Sequence, residues 1–217
     1  MPISVDFSSF YLYNVSDACA IWNLLSSRIL YARARSAGCS FCLTHFVLYE
    51  CLHKRRSSTS QQDQELKSRL QHEYDSRKIP ACYLDIEDLQ QVALLESRRR
   101  LSKGELSAIA FAKKTRQAFH TDDQAARRLA AQILAGPSIQ TTPHLLGWLC
   151  FMEILSDGDK DEVIKEHESL GRPLRPHFDA AYNEALRCRL MVRKPPSGAK
   201  AMRPEKGIQS KRDGYLF

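Results

Sequence analysis

The sequence lacks several features that would assign its function directly. No apolar run reaches the roughly 18 residues that a membrane-spanning helix needs, and residues 1–6 show no basic region before an apolar one. We therefore expect neither a membrane protein nor a secretory signal. The seven histidines lack H-x-x-x-H spacing, so the usual zinc-protease motif is absent. There is also no glycine-rich phosphate loop and no internal repeat.

Cysteine is present, but not in a pattern that predicts disulfides or zinc. Seven is an odd number, and no small secreted scaffold surrounds these residues, so we expect reduced thiols in a cytoplasmic protein. Cys39 and Cys42 form one C-x-x-C pair with His45, Cys51 and His53 nearby, but no second such pair follows. We interpret these cysteines as small buried side chains.

The chain has the size and composition of a globular domain that buries a core. It has 217 residues, of which 43% are hydrophobic and 26% charged. Short apolar strands alternate with helices, which predicts an α/β fold of three layers (α/β/α) around a mostly parallel sheet, with extra C-terminal helices. The expected divisions are a main domain at residues 1–155, a helical extension at 156–190 and a tail at 191–217.

The apolar and turn patterns place the individual elements. Strands are expected at 3–7, 40–43, 83–84, 118–121 and 138–141. Helices are expected at 17–35, around 46–52, and after the polar stretch 54–64 as far as about 77. Further helices are expected at 86–99, 103–112, 122–134, 145–155, 161–170 and 177–190. The strongly apolar helix at 145–155, together with the terminal helices, is a candidate face for a homodimer.

The net charge of +7 is concentrated at the C-terminus. Residues 187–217 contain nine Lys and Arg against two acids, so they carry the whole excess and the rest of the chain is balanced. Such a segment favours a polyanion or an acidic partner. The final apolar residues, Tyr215, Leu216 and Phe217, favour a protein or oligomer contact slightly over RNA.

Acidic residues stand at points where an α/β fold gathers its ligands. Asp6 would end the first strand, Glu50 lies on a helix, Glu105 begins another, and Asp122 and Asp123 follow a later strand. If neighbouring strands end at these acids, the carboxylates converge and raise one another's pKa unless cations neutralise them. Hard oxygen ligands suit Mg²⁺ or Mn²⁺, and a carboxylate-held metal pair is a standard device for phosphodiester cleavage.

In these motifs the chain resembles the PIN-domain nucleases, including the ribonuclease toxins of bacterial toxin–antitoxin pairs. The resemblance covers roughly residues 1–155. Its motifs are Val5-Asp6-Phe7-Ser8, Val47-Leu48-Tyr49-Glu50, Gly104-Glu105-Leu106-Ser107-Ala108-Ile109-Ala110 and Thr121-Asp122-Asp123-Gln124-Ala125-Ala126-Arg127. The family implies a metal-dependent endoribonuclease with RNA as substrate and an antitoxin-like or other protein as a partner.

The resemblance also implies roles for single residues. The catalytic, metal-binding quartet would be Asp6, Glu50, Glu105 and Asp123, with Asp122 as an alternative or additional ligand. Ser8 or Thr121 would orient this cluster by hydrogen bonds. The chain departs from the family pattern at Glu105, where many relatives carry Asp.

Each acid also has a purely structural interpretation. Ser102 and Glu105 have the spacing of a helix-capping box, Asp122 has the position of a helix cap, and Glu50 fits the wet side of an amphipathic helix. Asp6 is harder to explain in this way, because an acid that closes a buried strand is costly without a cation. The alternatives to a nuclease are therefore an inactive PIN-like binding or scaffolding module and an unrelated α/β protein whose acids are caps.

Overall fold

A computed structural model of the chain describes residues 6–54, 60–96, 101–135 and 138–191. The expected strand residues 3–5, the helix end at 97–99, the stop signal at Gly136 and Pro137 and the basic segment from 192 onward lie outside these ranges.

The described residues form a three-layer α/β/α fold around one parallel sheet, as the alternating pattern predicts. The strand order is β3-β2-β1-β4-β5, so β1 and β4 are central neighbours. Their register pairs Asn14 with Ala118 and Ser16 with His120, which brings the ends of both strands to one edge. The strands are β1 (Tyr13–Ser16), β2 (Ser40–Thr44), β3 (Ala81–Cys82), β4 (Ala118–His120) and β5 (Ile139–Gln140).

Helices connect the strands and cover the sheet. Helix α6 contacts β1, β2 and β4 and packs beside α3 and α5, whereas α1 and α2 pack with α8 and α9. A π-helical turn at Tyr49–His53 extends α3. The helices are α1 (Ala18–Ser26), α2 (Arg28–Ser36), α3 (His45–Leu48), α4 (Gln61–Asp75), α5 (Ile86–Glu96), α6 (Lys103–Thr115), α7 (Gln124–Ala130), α8 (Thr142–Phe151), α9 (Asp157–Ser169) and α10 (Arg175–Met191).

Two expectations about the start of the chain are wrong. Among the described residues the first strand of the sheet is β1, and Asp6 lies in a turn well before it. The helix expected at 17–35 is interrupted at Ser27, whose backbone is extended and whose hydroxyl caps α2 by accepting the amide of Leu30 at 3.0 Å. Ser27 also donates a hydrogen bond to Glu166 of α9 at 2.5 Å, and this tertiary bond stabilises the interruption between α1 and α2.

Helix α8 is buried on all sides within the chain. Each of its residues except Pro143 is buried, and α10 packs along it. Its apolar character therefore reflects a core helix, so α8 cannot supply the homodimer face expected of it; a homodimer contact through the terminal helices stays a prediction.

The C-terminal helices share the core of the sheet domain. Val163 and Ile164 of α9 and Phe178 of α10 belong to the same hydrophobic cluster as the strand residues Val15 and Phe119. The boundary expected near 155 stays a prediction, because these contacts describe packing and not independent folding. No helix within the described ranges combines the length and hydropathy needed to cross a membrane.

Gly147 of α8 lies where α8 meets Phe7 and α10, and this contact gives a test of the packing. A Cβ at this position would overlap the Phe7 ring and would lie 3.2 Å from the carbonyl oxygen of Ala181. Gly147→Ala should lower the free energy of unfolding by about 1–3 kcal/mol in urea denaturation, because Phe7 must move. Gly158→Ala in α9 is the matched control, since a Cβ at position 158 would meet only Ser156 Oγ, at 4.0 Å. The control should raise stability by roughly 0.5 kcal/mol. Equal effects would contradict the α8–α10 packing.

Candidate carboxylate site

The acid at the end of the first strand is Asp17. It directly follows β1, it is 0% exposed, and its Oδ1 caps α1 by accepting the amide of Ala20 at 2.8 Å. Its Oδ2 is buried and has no hydrogen-bond partner in the described part of the chain. One carboxylate oxygen of Asp17 therefore accepts a hydrogen bond, whereas the other is buried without a hydrogen-bond donor among the described residues.

The surroundings of Asp17 disfavour its charged form. Burial, followed by the nearby carboxylates of Asp122 and Glu105, raises its pKa to about 7. The amide of Ala20 and the side chain of Thr121 act in the opposite direction. The Thr121 contact does not have the geometry of a hydrogen bond to Oδ2, so that oxygen remains orphaned. At neutral pH the group is close to half ionised.

Asp122 is held firmly beside Asp17 at the end of β4. Its Oδ1 accepts the amide of Thr142 at 2.8 Å, and its Oδ2 accepts the Thr142 hydroxyl at 2.6 Å and the Asn23 amide nitrogen at 2.8 Å. These bonds tie together α1, β4 and α8. Asp122 is not a helix cap: that role belongs to Asp123, whose Oδ1 accepts the amide of Ala126 at 2.7 Å.

Glu105 is both a cap and a member of the acidic cluster. The expected capping box is confirmed: the Ser102 amide donates to Glu105 Oε2 at 2.8 Å, and the Glu105 amide donates to Ser102 Oγ at 3.2 Å. Burial raises the pKa of Glu105, and the charges of Asp123 and Glu50 also raise it. The structural and electrostatic interpretations therefore hold together for this residue.

Glu50 does not simply face solvent, as the amphipathic interpretation proposed. It lies in the π-helical turn and reaches the first turn of α6, where Oε1 accepts the Gly104 amide at 3.2 Å and Oε2 accepts the Ser102 hydroxyl at 3.3 Å. A Cβ at position 104 would overlap the Glu50 carboxylate. The glycine in this motif is thus explained by the close approach of Glu50.

The expectation that Asp6 ends a strand beside Asp122 is corrected. Asp6 is exposed, and its carboxylate accepts the Ser8 amide at 2.9 Å, the Ser8 hydroxyl at 2.6 Å and the Ser9 hydroxyl at 3.2 Å. Slight desolvation raises its pKa, but these bonds outweigh it and lower the pKa overall. Ser8 therefore orients Asp6, whereas buried Thr121 accepts the Asp123 amide at 3.1 Å.

A buried histidine beneath the cluster escaped the sequence analysis. His120 is 0% exposed, and its ring nitrogens lie 3.1 Å from Ser16 Oγ and 3.3 Å from Thr142 Oγ1. Burial lowers its pKa to about 4, so the ring is neutral at physiological pH. It positions Thr142, which in turn holds Asp122.

The sequence analysis also missed Asp17 as a site residue. Its signal is an acid placed directly before the apolar residues of α1, but the polar residues Asn14 and Ser16 concealed the strand that precedes it.

The ligand atoms of this cluster are all oxygens, which suit a hard divalent cation. These oxygens are, however, not arranged as a complete set of ligands around one ion. The orphaned Oδ2 of Asp17 is the atom that lacks a donor and has the character of a ligand. Across the described ranges, however, no three His, Cys, Asp or Glu side chains are positioned to hold one ion together. Cys39, Cys42 and Cys51 are all buried, which confirms their interpretation as buried side chains.

No family model, curated protein or solved structure gives a significant match to the chain.

The pKa of Asp17 predicts how stability depends on pH. A carboxyl with a pKa of about 7 when folded and 3.8 when unfolded contributes stability below pH 4 that is lost as the pH rises to 7. Asp17→Asn removes this loss and keeps a good helix cap, so it should gain up to about 4 kcal/mol on the wild type between pH 4 and pH 8 without metal.

Urea denaturation at several pH values, in the presence of a chelator, measures this difference. Asp6→Asn is the matched control, because the pKa of Asp6 is lowered and its charge is favourable in the folded state. The control should be slightly less stable than the wild type at pH 8. A parallel pH dependence of wild type and Asp17→Asn would contradict the burial of an unneutralised carboxyl.

Proposed function

We propose that this protein is a PIN-like nuclease that hydrolyses RNA phosphodiester bonds with Mg²⁺ or Mn²⁺ at the cluster of Asp17, Glu105, Asp122 and Asp123. The observation that carries the proposal is the meeting of acids from separate segments at the ends of β1 and β4. Their mutual repulsion contributes to the raised pKa values of Asp17 and Glu105. A divalent cation would remove this unfavourable charge interaction.

The order of the acids along the chain supports the PIN resemblance once Asp17 replaces Asp6. An acid follows the first strand, Glu50 follows the second, Glu105 opens α6, and the Asp122–Asp123 pair follows β4. This is the order that the resemblance implies. A role as the toxin of a toxin–antitoxin pair stays a prediction of the resemblance alone.

Different residues of the chain would have different roles in such a site. Asp17, Glu105, Asp122 and Asp123 would hold the ion, which supplies charge stabilisation at the phosphate and a more acidic water. Asn23 and Thr142 fix the orientation of Asp122 by donating to both of its oxygens. Asp17 Oδ2 is buried and has no hydrogen-bond partner among the described residues, so it is the oxygen of Asp17 available to the ion.

A second candidate, an inactive PIN-like binding or scaffolding module, is favoured by one specific observation. Asp17, Glu50, Glu105, Asp122 and Asp123 each accept a backbone amide, so each has a structural role without a metal. Together with the incomplete convergence of ligand atoms among the described residues, this is the arrangement expected of a fold that kept its acids as caps.

RNA cleavage separates the two candidates. We expect wild-type protein to cleave a labelled single-stranded RNA when Mn²⁺ is added and to stop when it is chelated. Asp17→Asn and Glu105→Gln should lose roughly two orders of magnitude or more in rate, because each removes an oxygen that stabilises the cation. Asp6→Asn should cleave like the wild type, since the hydrogen bonds to the Asp6 carboxylate from described residues come from Ser8 and Ser9 of its own turn. Cleavage that all four proteins share, or that none shows, would reject the proposed site.

Thermal unfolding provides a readout that does not depend on turnover. Mn²⁺ should raise the melting temperature of the wild type and of Asp6→Asn in a concentration-dependent way, because it binds only the folded cluster. It should leave Asp17→Asn nearly unchanged. A metal-induced shift of equal size in all three proteins would place the ion elsewhere.

A further inference from the structure

A groove of about 520 Å³ opens directly beside Glu50, on the side of α6 where its helix begins. The π-helical turn forms one wall and the residues that open α6 form the other. Its lining combines three aromatic rings with two lysines, one carboxylate and one hydroxyl: His45, Phe46, Tyr49, Glu50, Lys54, Ser102 and Lys103. The groove is therefore continuous with the carboxylate cluster through Glu50 and Ser102.

Aromatic rings are presented to solvent around this groove. Tyr49 is 57% exposed and Tyr83, from the segment after β3, is 81% exposed. The Tyr83 ring lies against His45, with centroids 4.1 Å apart, and the Tyr49 ring lies 6.2 Å from that of His53. The Nε2 of His45 is buried and lacks a partner among the residues described. Exposed, flat rings such as those of Tyr49 and Tyr83 are suited to a ligand that stacks on them.

The charge of the groove complements a phosphate backbone. Lys54 and Lys103 are exposed, and neither forms an ion pair with any described carboxylate. Cations that flank aromatic rings are the combination that single-stranded nucleic acids require.

We propose that this groove holds an unpaired nucleobase of a single-stranded RNA, stacked on Tyr49 and on the Tyr83–His45 pair. Lys54 and Lys103 contact the adjacent phosphates. The groove adjoins Glu50, whose carboxylate accepts the Gly104 amide in the same first turn of α6 that carries Glu105. The inference rests on the proposed function for its substrate class. It adds a base-binding site that selects single strands, because a base within a duplex cannot present its face to the rings.

The test measures binding separately from cleavage. Fluorescence anisotropy of a fluorescein-labelled ten-nucleotide RNA is recorded with full-length protein in EDTA, which prevents metal-dependent hydrolysis. Tyr49→Ala should weaken binding by roughly 5- to 100-fold, the effect of one base–aromatic contact. Tyr49→Phe keeps the ring and should bind like the wild type. Tyr13→Ala is the matched control, because Tyr13 is a 44% exposed tyrosine at the start of β1, away from the ends of the strands.

The lysines are tested through salt dependence. Lys103→Ala should make the slope of log affinity against log salt shallower by about 0.7, the value for one single-strand phosphate contact. Lys165→Ala, whose side chain is paired with Glu162 on α9, should not change the slope. The C-terminal basic segment is identical in all variants, so its contribution to affinity cancels in the comparison.

Several outcomes would overturn the groove proposal. These are equal affinity of Tyr49→Ala and Tyr13→Ala, equal affinity for a duplex of the same sequence, or no binding of the single strand by the wild type. Circular dichroism confirms that each variant is folded. Specific binding without Mn²⁺-dependent cleavage would support the groove and reject the nuclease. Cleavage with unchanged affinity in Tyr49→Ala would reject the groove and leave the nuclease in place.

Discussion

The carboxyl group of Asp17 is buried where the central strand β1 passes into α1, and much of the surrounding structure follows from that constraint. A buried carboxylate needs donors, and the α1 amides supply them to only one of its oxygens. The neighbouring acids at Asp122 and Glu105 make its charge still less favourable. A fold built only for stability would place a neutral cap here, such as serine or asparagine. The retained acid, beside others, is the physical reason to consider a cation.

The remaining acids show how a cluster of like charges is made compatible with a stable fold. Each of them satisfies a helix end or an amide, so it contributes locally even without a ligand. Asp122 receives hydrogen bonds to both oxygens, whereas Glu105 and Asp123 cap α6 and α7. Capping and ligand binding are therefore not exclusive interpretations. The electrostatic repulsion between these acids distinguishes the cluster from ordinary helix caps, because a cap at an isolated helix end has no charged neighbour of this kind.

The short segment around the π-helical turn connects this cluster to the outer surface. The turn directs Glu50 against the first turn of α6, and it leaves Tyr49 exposed beside a groove that contains two lysines. A regular continuation of α3 would rotate these side chains to other positions, since a π turn adds one residue to the helical repeat. The irregular turn thus positions both an acid of the cluster and the aromatic wall of the groove.

The sequence by itself determined the α/β class, the parallel sheet, most helix positions and the Ser102–Glu105 capping box, because these depend on local spacing and on short-range hydrogen bonds. It also identified Glu105, Asp122 and Asp123 as acids at element ends. Only the tertiary structure decided which acid closes the first strand. The polar residues Asn14 and Ser16 disguise a strand whose partners are distant in the chain. Tertiary contacts likewise decided the break at Ser27, the burial of α8 and the position of Glu50, because each depends on a residue far away in sequence: Glu166, the helix α10 and Gly104.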